Sequence, residues 1–485
     1  MKMYPLIFSA VLLLGCNQEP VVDPDPPVPS DGPVATVYTT SVAGKRFEES
    51  TLPLGKPEDV HFYKVERSGE AFQEVDGFGL AITQASCWNL LLMPPEDRTA
   101  FLTELFSREK GLGSSLIRVC IGGSDFSLDE FTWCDEPGME NFAVHPLDQE
   151  WLFPVLDEIF RINPAVKIIG SPWSCPKWMK MTENGGAPYD SWTGGRLNPE
   201  YYRDYADYFV RWVQEMEKRG YPIYAVTLQN EPLNRGNSMS LYMPWEDQRD
   251  FIKQAVGPAF RDAGIKAKIL LFDHNYNYDN IASQRDYPLH ILEDAEAAQY
   301  VAGSAWHNYG GSVSTLDKIH SAFPDKEIYF TEASIGTWNY TFDSCLINDF
   351  RDIFLGTLGR YGKGVTLWNL MLDSDRKPYR PGGCDTCFGA VTLSASDHKS
   401  LTYNSHYYNM AHCSKVLQPG AVRLGTQGYE GSGLTYQWYR NPDGSQALLL
   451  LNEGSGEALV NFVTDKNSLS CKVPAKAIQS IRWEE

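Results

Sequence analysis

Positive charge is scarce in this 485-residue chain, which carries 42 Lys and Arg residues against 62 Asp and Glu residues. The net charge of -20 repels the phosphates of nucleic acids and anionic lipid headgroups, so neither is expected as a binding partner. Long apolar runs are scarce too, and after the first 16 residues none is long enough to cross a bilayer as a helix. The composition therefore indicates a globular protein with a sizeable core and a partner other than nucleic acid.

Metal-binding motifs are also scarce. Cys384 and Cys387 have C-x-x-C spacing, but no second C-x-x-C or H-x-x-x-H pair completes a zinc site. We expect a local disulfide or two structural thiols at these positions, and we predict no metal and no organic cofactor. Of the ten cysteines, nine remain when Cys16 is set aside, so at least one is unpaired within a single chain.

The first residues have the features of an export signal. A lysine precedes an apolar segment that is too short to span a membrane, and the segment ends in Leu13-Leu14-Gly15-Cys16. This ending resembles the lipobox of bacterial lipoproteins. We expect residues 1–15 to be a cleaved signal peptide and Cys16 to carry the lipid that anchors an exported protein to a membrane, facing the periplasm or the cell exterior; a plain signal peptide is the alternative. The Pro- and Asp-rich residues up to position 34 would form a disordered tether.

Between residues 75 and 417, apolar strand patterns alternate with amphipathic helical patterns. The predicted strands are residues 75–82, 115–121, 167–172, 223–229, 267–272, 301–307, 327–331 and 364–369. Alternation of this kind indicates a parallel sheet, and eight repeats predict a (β/α)8 TIM barrel. A long doubly wound sheet is the alternative.

The two flanks of this region have a β pattern. Six short strands are predicted between residues 422 and 483, separated by turn residues such as Asn441-Pro442-Asp443-Gly444. A strand-like segment also occurs at residues 37–40. We therefore predict an accessory β-sandwich in which one or more strands from residues 35–74 join residues 418–485. Its expected role is to support the barrel, and carbohydrate binding is the alternative.

Two glutamates directly follow predicted barrel strands. The apolar run that begins at Tyr224 ends in Asn230-Glu231-Pro232, and the next comparable strand ends in Thr331-Glu332-Ala333. A carboxylate at the lip of a buried strand is unfavourable unless it is paired or used, and functional residues of barrels lie at these strand ends. The pattern predicts the carboxylate pair of a glycoside hydrolase; two unrelated glutamates, each bound by an arginine, are the alternative. The following proline is expected to hold Glu231 in an extended backbone.

Seven motifs, taken in order, resemble glycoside hydrolase family 30, which includes glucosylceramidase and microbial β-1,6-glucanases. They are Asp76-Gly77-Phe78-Gly79, Arg118-Val119, Ser124-Asp125-Phe126-Ser127, Ser171-Pro172-Trp173-Ser174-Cys175-Pro176-Lys177-Trp178-Met179-Lys180, Asn230-Glu231-Pro232, Thr331-Glu332-Ala333 and Trp368-Asn369-Leu370. The resemblance runs from about residue 75 to the C-terminus. It implies a (β/α)8 barrel with a β-sandwich, and hydrolysis that retains the anomeric configuration.

The resemblance also implies a role for each residue at the strand ends. Glu231 would be the acid/base and Glu332 the nucleophile. The resemblance places Asp125, Trp173, Asn230 and Trp368 around the sugar, with Tyr309 beside the nucleophile. His307 is added to these expected sugar-binding residues because it ends the sixth predicted strand, where functional residues of barrels lie. Arg118 would keep Glu332 ionised or form a purely structural ion pair, and the charge of Glu332 is expected to raise the pKa of Glu231.

One segment departs from the glucosylceramidase pattern. Residues 382–387, Gly-Gly-Cys-Asp-Thr-Cys, replace the loop that follows strand eight there and are more similar to the bacterial β-1,6-glucanase branch. We therefore predict a retaining β-1,6-glucanase that acts on β-glucan or another β-glucoside by double displacement. The alternatives are a glucosylceramidase-like β-glucosidase or β-xylosidase and, in another class, a catalytically silent glycan-binding lipoprotein, which two intact glutamate motifs disfavour.

Overall fold

The structure is a computed structural model that describes residues 32–277, 281–431 and 433–485. The predicted signal peptide, the lipidation site Cys16 and the tether as far as residue 31 lie outside the described residues. Within these three ranges, no helix is long and apolar enough to cross a membrane.

Eight parallel strands form the barrel. They are β1 (Gly77–Leu80), β2 (Leu116–Cys120), β3 (Lys167–Ser171), β4 (Ile223–Thr227), β5 (Lys268–Asn275), β6 (Val301–His307), β7 (Glu327–Glu332) and β8 (Gly362–Leu367). Ladders join β2 through β8 in chain order and then β8 to β1, and an isolated bridge between Ala81 and Arg118 closes the ring. The (β/α)8 fold class is confirmed, and the doubly wound alternative is wrong. Val75, predicted to begin the first barrel strand, instead ends a strand of the accessory domain, where it pairs with Ala421.

Helices cover the outside of the barrel. The α-helices are Gln84–Leu92, Pro95–Phe106, Phe153–Ile162, Tyr202–Lys218, Trp245–Phe251, Gly257–Asp262, Tyr287–Leu292, Ala295–Ala298, Thr315–Ala322, Phe342–Asp349, Gly356–Leu358 and Ser405–Val416, with π-helical segments at Asp148–Leu152, Ile252–Val256 and Phe350–Leu355 and 3-10 turns at Met139–Asn141, Lys177–Met179, Pro199–Tyr201 and Ala282–Gln284. Each helix packs on the sheet through the residues of its apolar face. In Tyr202–Lys218, for example, Trp212 is buried and fills the space above Gly170 of β3, where an added Cβ would lie 2.7 Å from the indole.

In the described residues, nine strands, joined by antiparallel and parallel pairings, form the accessory β-sandwich. They are Val34–Ser41, Glu48–Gly55, Tyr63–Val75, Ala421–Gly428, Leu434–Arg440, Gln446–Asn452, Ala458–Val463, Ser468–Val473 and Ala477–Trp483. They pair edge to edge in a sheet that closes on itself. Strand Val34–Ser41 pairs with Ala477–Trp483, and Tyr63–Val75 lies between Ala421–Gly428 and Ala458–Val463. The predicted sandwich built from both flanks is therefore confirmed.

One helix joins the two domains. Ser405–Val416 is almost wholly buried, and its residue His412 donates or accepts hydrogen bonds at both ring nitrogens, 2.9 Å from Ser480 Oγ and 2.8 Å from Thr40 Oγ1. The apolar cluster that fills the barrel shell extends through this helix to Leu449 and Ile478 of the sandwich. The sandwich thus packs on the barrel through a shared core.

Short strands at the upper rim complete the fold. They are Lys180–Met181 with Arg196–Leu197, Ile335–Gly336 with Cys387–Phe388, and the group Met371–Asp373, Val391–Leu393 and Leu401–Tyr403. All lie in loops that follow barrel strands at their carboxyl ends. These loops form the walls around the site that the sequence predicts.

Candidate active site

The two predicted catalytic glutamates lie at the carboxyl ends of two barrel strands, β4 and β7, which are separated in the sheet by β5 and β6. Glu332 is the last residue of β7, and Glu231 follows β4 by a short loop. Their exposed fractions are only 6% and 8%. Glu231 has a φ of 45°, so the prediction of an extended backbone there is wrong. This left-handed conformation is unfavourable for a residue with a side chain, and a hydrogen bond from the Glu231 N–H to the Asp273 carbonyl, 2.9 Å long, holds it in place.

Arg118 of β2 connects the floor of the site to Glu332. Its guanidinium is fully buried and donates to Glu332 Oε2 at 2.5 Å, Asp273 Oδ2 at 2.7 Å and Asn230 Oδ1 at 2.8 Å. The first contact stabilises the ionised form of Glu332, as predicted for this arginine, and the last turns the Asn230 amide N–H2 group away from the arginine. Because one arginine contacts three groups in fixed directions, it positions the site as well as neutralising it.

Glu231 has a different set of neighbours. Its Oε1 lies 3.2 Å from His307 Nδ1, and its Oε2 accepts a 2.7 Å hydrogen bond from the Asn234 side chain. Within the part of the chain that the structure describes, no arginine or lysine pairs with Glu231. The alternative in which each glutamate is bound by its own arginine is therefore wrong for this residue.

His307 lies beneath both glutamates. Besides its contact with Glu231, its Nδ1 is 4.0 Å from Glu332 Oε1, and its Nε2 is 3.1 Å from Asp273 Oδ1. The ring is fully buried, and both nitrogens face carboxylates. We had grouped His307 with the sugar-binding residues; the geometry corrects this, because His307 can act on a substrate only through the glutamates it contacts.

The shared histidine determines the charge state of the pair. Burial by itself lowers the pKa of His307, but Glu332, Asp273 and Glu231 outweigh burial and raise that pKa to about 9. Burial raises the pKa of Glu231, yet the hydrogen bond from His307, the nearby His274 and Asn234 together lower it to about 2. The expectation that the pKa of Glu231 is raised is therefore wrong for the free enzyme, because these contacts favour an ionised Glu231 beside a protonated His307.

The pKa of Glu332 is set by other groups, because its neighbours differ from those of Glu231. Burial raises the pKa of Glu332 from its ordinary value, and His307 and Arg118 oppose this by stabilising the carboxylate. Tyr309 also donates its hydroxyl to Glu332 Oε1 at 3.0 Å, which places Tyr309 beside this glutamate as predicted. At neutral pH the direct arginine contact favours the ionised form.

The remaining predicted residues form the walls of the pocket. Trp173 and Trp368 stack with ring centroids 5.0 Å apart, and the Arg118 guanidinium lies under both rings, 4.9 Å and 5.7 Å from their centroids. Asp125 is buried next to Phe126, whose ring meets that of Trp368 edge-on, and burial and the two glutamates raise the pKa of Asp125. The structure thus brings all the predicted barrel residues together at one end of the barrel.

Cys384 and Cys387 form a disulfide, so of the two expected states the local disulfide is correct. The other described cysteines are free thiols: Cys87, Cys120, Cys134, Cys175, Cys345, Cys413 and Cys471. The disulfide loop packs tightly on Asp125, because a Cβ added to Gly383 would lie 2.8 Å from the Asp125 Cβ. The segment that distinguishes this sequence from glucosylceramidases therefore borders the pocket directly.

Sequence reasoning missed Asp273 and His274. We predicted the fifth strand to end at residue 272, but β5 continues to Asn275 with a change of register between Phe272 and His274. Phe272 and Asp273 both have positive φ values, 75° and 62°. This bulge turns Asp273 towards Arg118 and His307, as bulges beside active sites commonly do. An aspartate and a histidine directly after an apolar strand were the signal available in the sequence.

Three of these side chains could also surround a cation. Glu231, His274 and His307 have ligand atoms within 4.8 Å of one another. However, His307 and Glu231 already hydrogen-bond to each other, and His307 also contacts Asp273. The absence of a metal requirement stays a prediction, since the paired glutamates can act without one.

Comparisons with known proteins agree with this geometry. Residues 75–417 match the glycosyl hydrolase family 30 TIM-barrel domain, and residues 420–481 match the family 30 β-sandwich domain. An endo-1,6-β-D-glucanase of Neurospora crassa is 32% identical over 405 residues, covering 80% of each chain. The lysosomal acid glucosylceramidase of Mus musculus is 27% identical over 433 residues, covering 85% of this chain and 81% of the relative.

Solved structures are similar over almost the whole length. The endo-β1,6-glucanase BT3312 is 50% identical, with a TM-score of 0.90, and the match covers 94% of this chain and 100% of that one. SrfJ from Salmonella typhimurium has a TM-score of 0.83 at 22% identity, covers 93% of this chain and 100% of its own, and shares the fold. The resemblance inferred from the motifs is confirmed: the chain belongs to glycosyl hydrolase family 30 and is a glycoside hydrolase.

Proposed function

We propose that the protein is a retaining endo-β-1,6-glucanase in which Glu332 is the nucleophile and Glu231 the acid/base. The observation that carries this proposal is that both glutamates contact the same nitrogen of His307. The two contact distances, 3.2 Å and 4.0 Å, limit the separation of the two carboxylate oxygens to about 7 Å. This limit accommodates the spacing of about 5–5.5 Å in retaining enzymes and excludes most of the wider range used by inverting enzymes.

In the first step, Glu332 attacks the anomeric carbon while the bond to the leaving oxygen breaks. Arg118 and Tyr309 orient the attacking carboxylate through hydrogen bonds to its two oxygens. The proton passes from His307 across their 3.2 Å contact to Glu231, which delivers it to the leaving oxygen. Because His307 holds this proton in the free enzyme, Glu231 can act as an acid despite its low pKa.

In the second step, water displaces Glu332 from the anomeric carbon. Glu231 accepts the proton of that water and passes it back to His307, so the pair ends the cycle with the proton it began with. Asn230, whose oxygen is held by Arg118, presents its amide N–H2 group to the sugar 2-hydroxyl. This contact strengthens as the transition state forms.

The preference for β-1,6 linkages is supported by the wall of the pocket. The disulfide loop that presses on Asp125 is the segment that differs from the glucosylceramidase pattern. Relatives named endo-1,6-β-D-glucanase and the BT3312 structure favour the same substrate class. A glucosylceramidase-like activity is the second candidate, favoured by the relatives that carry that name.

Incubation of the purified protein with pustulan, laminarin, xylan and glucosylceramide tests the proposal. We expect pustulan to be cleaved to short oligosaccharides, and NMR of the first product to show the β-anomer. Hydrolysis of glucosylceramide without hydrolysis of pustulan would replace the first candidate with the second. An initial α-anomer would show that the enzyme inverts and would overturn the double displacement.

The protein is further proposed to be an exported bacterial lipoprotein, anchored through Cys16 with its barrel outside the cytoplasm. The support is the sequence pattern around Cys16 and the Pro-rich segment that separates it from the first described strand. A polysaccharide too large to enter a cell is met outside it, which suits this location.

A further inference from the structure

Trp338 is an exposed indole close to the active site. It follows Glu332 by six residues in the loop after β7, and 51% of its surface is exposed. Six residues of chain reach at most about 20 Å, so the indole stands outside the pocket that holds the reacting sugar but near it. An indole is a large, flat apolar surface on which a ligand can stack.

The local backbone holds this indole rigidly. A Cβ added to Gly336 would lie 2.0 Å from the Trp338 ring, so the indole packs on a position where a side chain has no room. Ile335–Gly336 pairs with Cys387–Phe388, and the Thr337 N–H donates to the Thr386 carbonyl at 2.9 Å. The Cys384–Cys387 disulfide constrains the turn that leads into the second of these two strands. The exposure of Trp338 is therefore a feature of an ordered structure and does not result from a loose loop.

The same strand pair connects Trp338 to the pocket. Gly383, beside the disulfide, packs on Asp125 in the wall of the pocket, since a Cβ added to Gly383 would lie 2.8 Å from the Asp125 Cβ. On the other side, Ser334 Oγ lies 2.9 Å from the hydroxyl of Tyr309, which donates to Glu332. The indole thus lies between the disulfide loop and the strand that ends in Glu332.

Building on the proposed glucanase function, we propose that Trp338 forms a sugar-binding subsite on which a glucosyl residue outside the catalytic pocket stacks. The C–H groups on one face of a β-glucosyl ring form an apolar surface that matches an indole in size. Stacking on a ring that is already ordered costs little conformational entropy. The subsite favours a glucan chain over a short glucoside because a single sugar in the pocket does not reach it.

The experiment compares Trp338→Ala and Trp338→Phe with the wild-type enzyme on pustulan-derived gluco-oligosaccharides of increasing length and on an aryl β-glucoside. We expect Trp338→Ala to lower kcat/KM on the longer oligosaccharides by roughly tenfold, with Trp338→Phe intermediate and the aryl glucoside unaffected. Tyr63→Ala is the matched control, since Tyr63 is a 62% exposed aromatic residue of the sandwich. Titration of Glu332→Gln protein with the same oligosaccharides should show a weaker Kd when Trp338→Ala is added.

Three outcomes would overturn the subsite: an equal loss on the aryl glucoside, no loss on any oligosaccharide, or an equal loss in Tyr63→Ala. A thermal unfolding scan of each variant identifies losses of activity that are caused by misfolding. If Trp338→Ala is misfolded, the activity and the Kd of Trp338→Phe decide whether the subsite exists. If the wild type cleaves no β-1,6 oligosaccharide, the proposed linkage fails. The same comparison is then made on laminari- or cello-oligosaccharides, whichever the enzyme cleaves, so the two failures are distinguishable.

Discussion

Glu231 and Glu332 have different neighbours, and this predicts different behaviour of their Gln variants. Glu332→Gln should lower kcat on every substrate by about four orders of magnitude or more, because no glycosyl-enzyme forms without the nucleophile. Glu231→Gln should lose most of its activity on glucan but still react with an activated aryl glucoside, whose leaving group needs little protonation. The intermediate then accumulates, and added azide should restore turnover and give a β-glucosyl azide.

The product of azide rescue distinguishes the two roles. A β-azide formed by Glu332→Gln and not by Glu231→Gln would mean that the roles are exchanged. Wild-type enzyme with azide is the control, since it should form little azide product while Glu231 can still activate water. The measurement is NMR of the isolated glycosyl azides together with the steady-state rates.

His307 allows a prediction about pH. The raised pKa of His307, about 9, means that its proton is retained until the pH rises through about 9. The groups that face it are Glu231, Glu332, Asp273 and His274. In His307→Gln, Glu231 must hold the catalytic proton itself, so the alkaline limb of kcat/KM on glucan should move to lower pH. We expect a loss of roughly tenfold to a hundredfold at neutral pH.

An aryl glucoside with a good leaving group supplies the control for His307→Gln. Its first step needs little acid catalysis, so the variant should lose less on it than on glucan. An alkaline limb that stays in place in the variant would show that His307 does not supply the proton.

At the scale of elements, the opposite end of the barrel is closed by a network of charges. Asp76, just before β1, accepts hydrogen bonds from Lys167 at 2.5 Å, Tyr224 at 2.8 Å and Tyr329 at 2.6 Å. Lys268 and Lys363 pair nearby with Glu327. Burial alone would raise the pKa of Asp76, but Lys167 and Tyr329 lower it to about 2. These contacts join the first residues of several strands, which suits a role in stability.

Asp76→Asn should therefore destabilise the fold by about 2 kcal/mol without changing activity on an aryl glucoside. Because the folded pKa is below the ordinary value of 3.8, this stabilisation is present above about pH 4 and is lost as the pH falls towards 2. Urea unfolding of both proteins at pH 7 and pH 3 measures the difference, which should shrink at the lower pH. A large loss of activity at pH 7 in a fully folded variant would contradict the structural role.

Elements with a strong pattern could be predicted from the sequence. Strand Val301–His307 begins and ends where its largely apolar run predicts, because a strand buried on both faces is mostly apolar. Strands Glu48–Gly55 and Tyr63–Val75 were not predicted individually. Most of their side chains are exposed or half-buried, so burial leaves no alternation to read.

The sequence predicts those site residues whose chemical type is unusual at their position. It does not predict those whose role depends on local backbone geometry. Glu231 and Glu332 could be found because buried carboxylates after apolar strands are unusual. The orientation of Asp273 depends on the bulge in β5, and the apolar pattern of that strand does not predict the bulge. The low pKa of Glu231 follows from its contact with His307, so charge reasoning that considered only Glu332 predicted the wrong direction.

At the scale of the whole molecule, the proposed lipid anchor makes a prediction of its own. Cys16→Ala should move the protein from the membrane fraction to the soluble fraction, because the lipid is the anchor. Catalytic constants on soluble oligosaccharides should stay the same, since the barrel is untouched. Fractionation followed by immunoblotting measures this, and unchanged membrane retention in a normally processed variant would contradict the lipoprotein proposal.

The closed sheet of the sandwich determines when this protein can finish folding. Val34–Ser41 is the first described strand to be synthesised, and its partner Ala477–Trp483 is the last described one. The first strand must therefore wait through the synthesis of the whole barrel before its second edge is covered. If the chain is exported unfolded, both the barrel and residues 477–483 must cross the membrane before this pairing can form, so the sandwich closes only after the catalytic domain has been delivered.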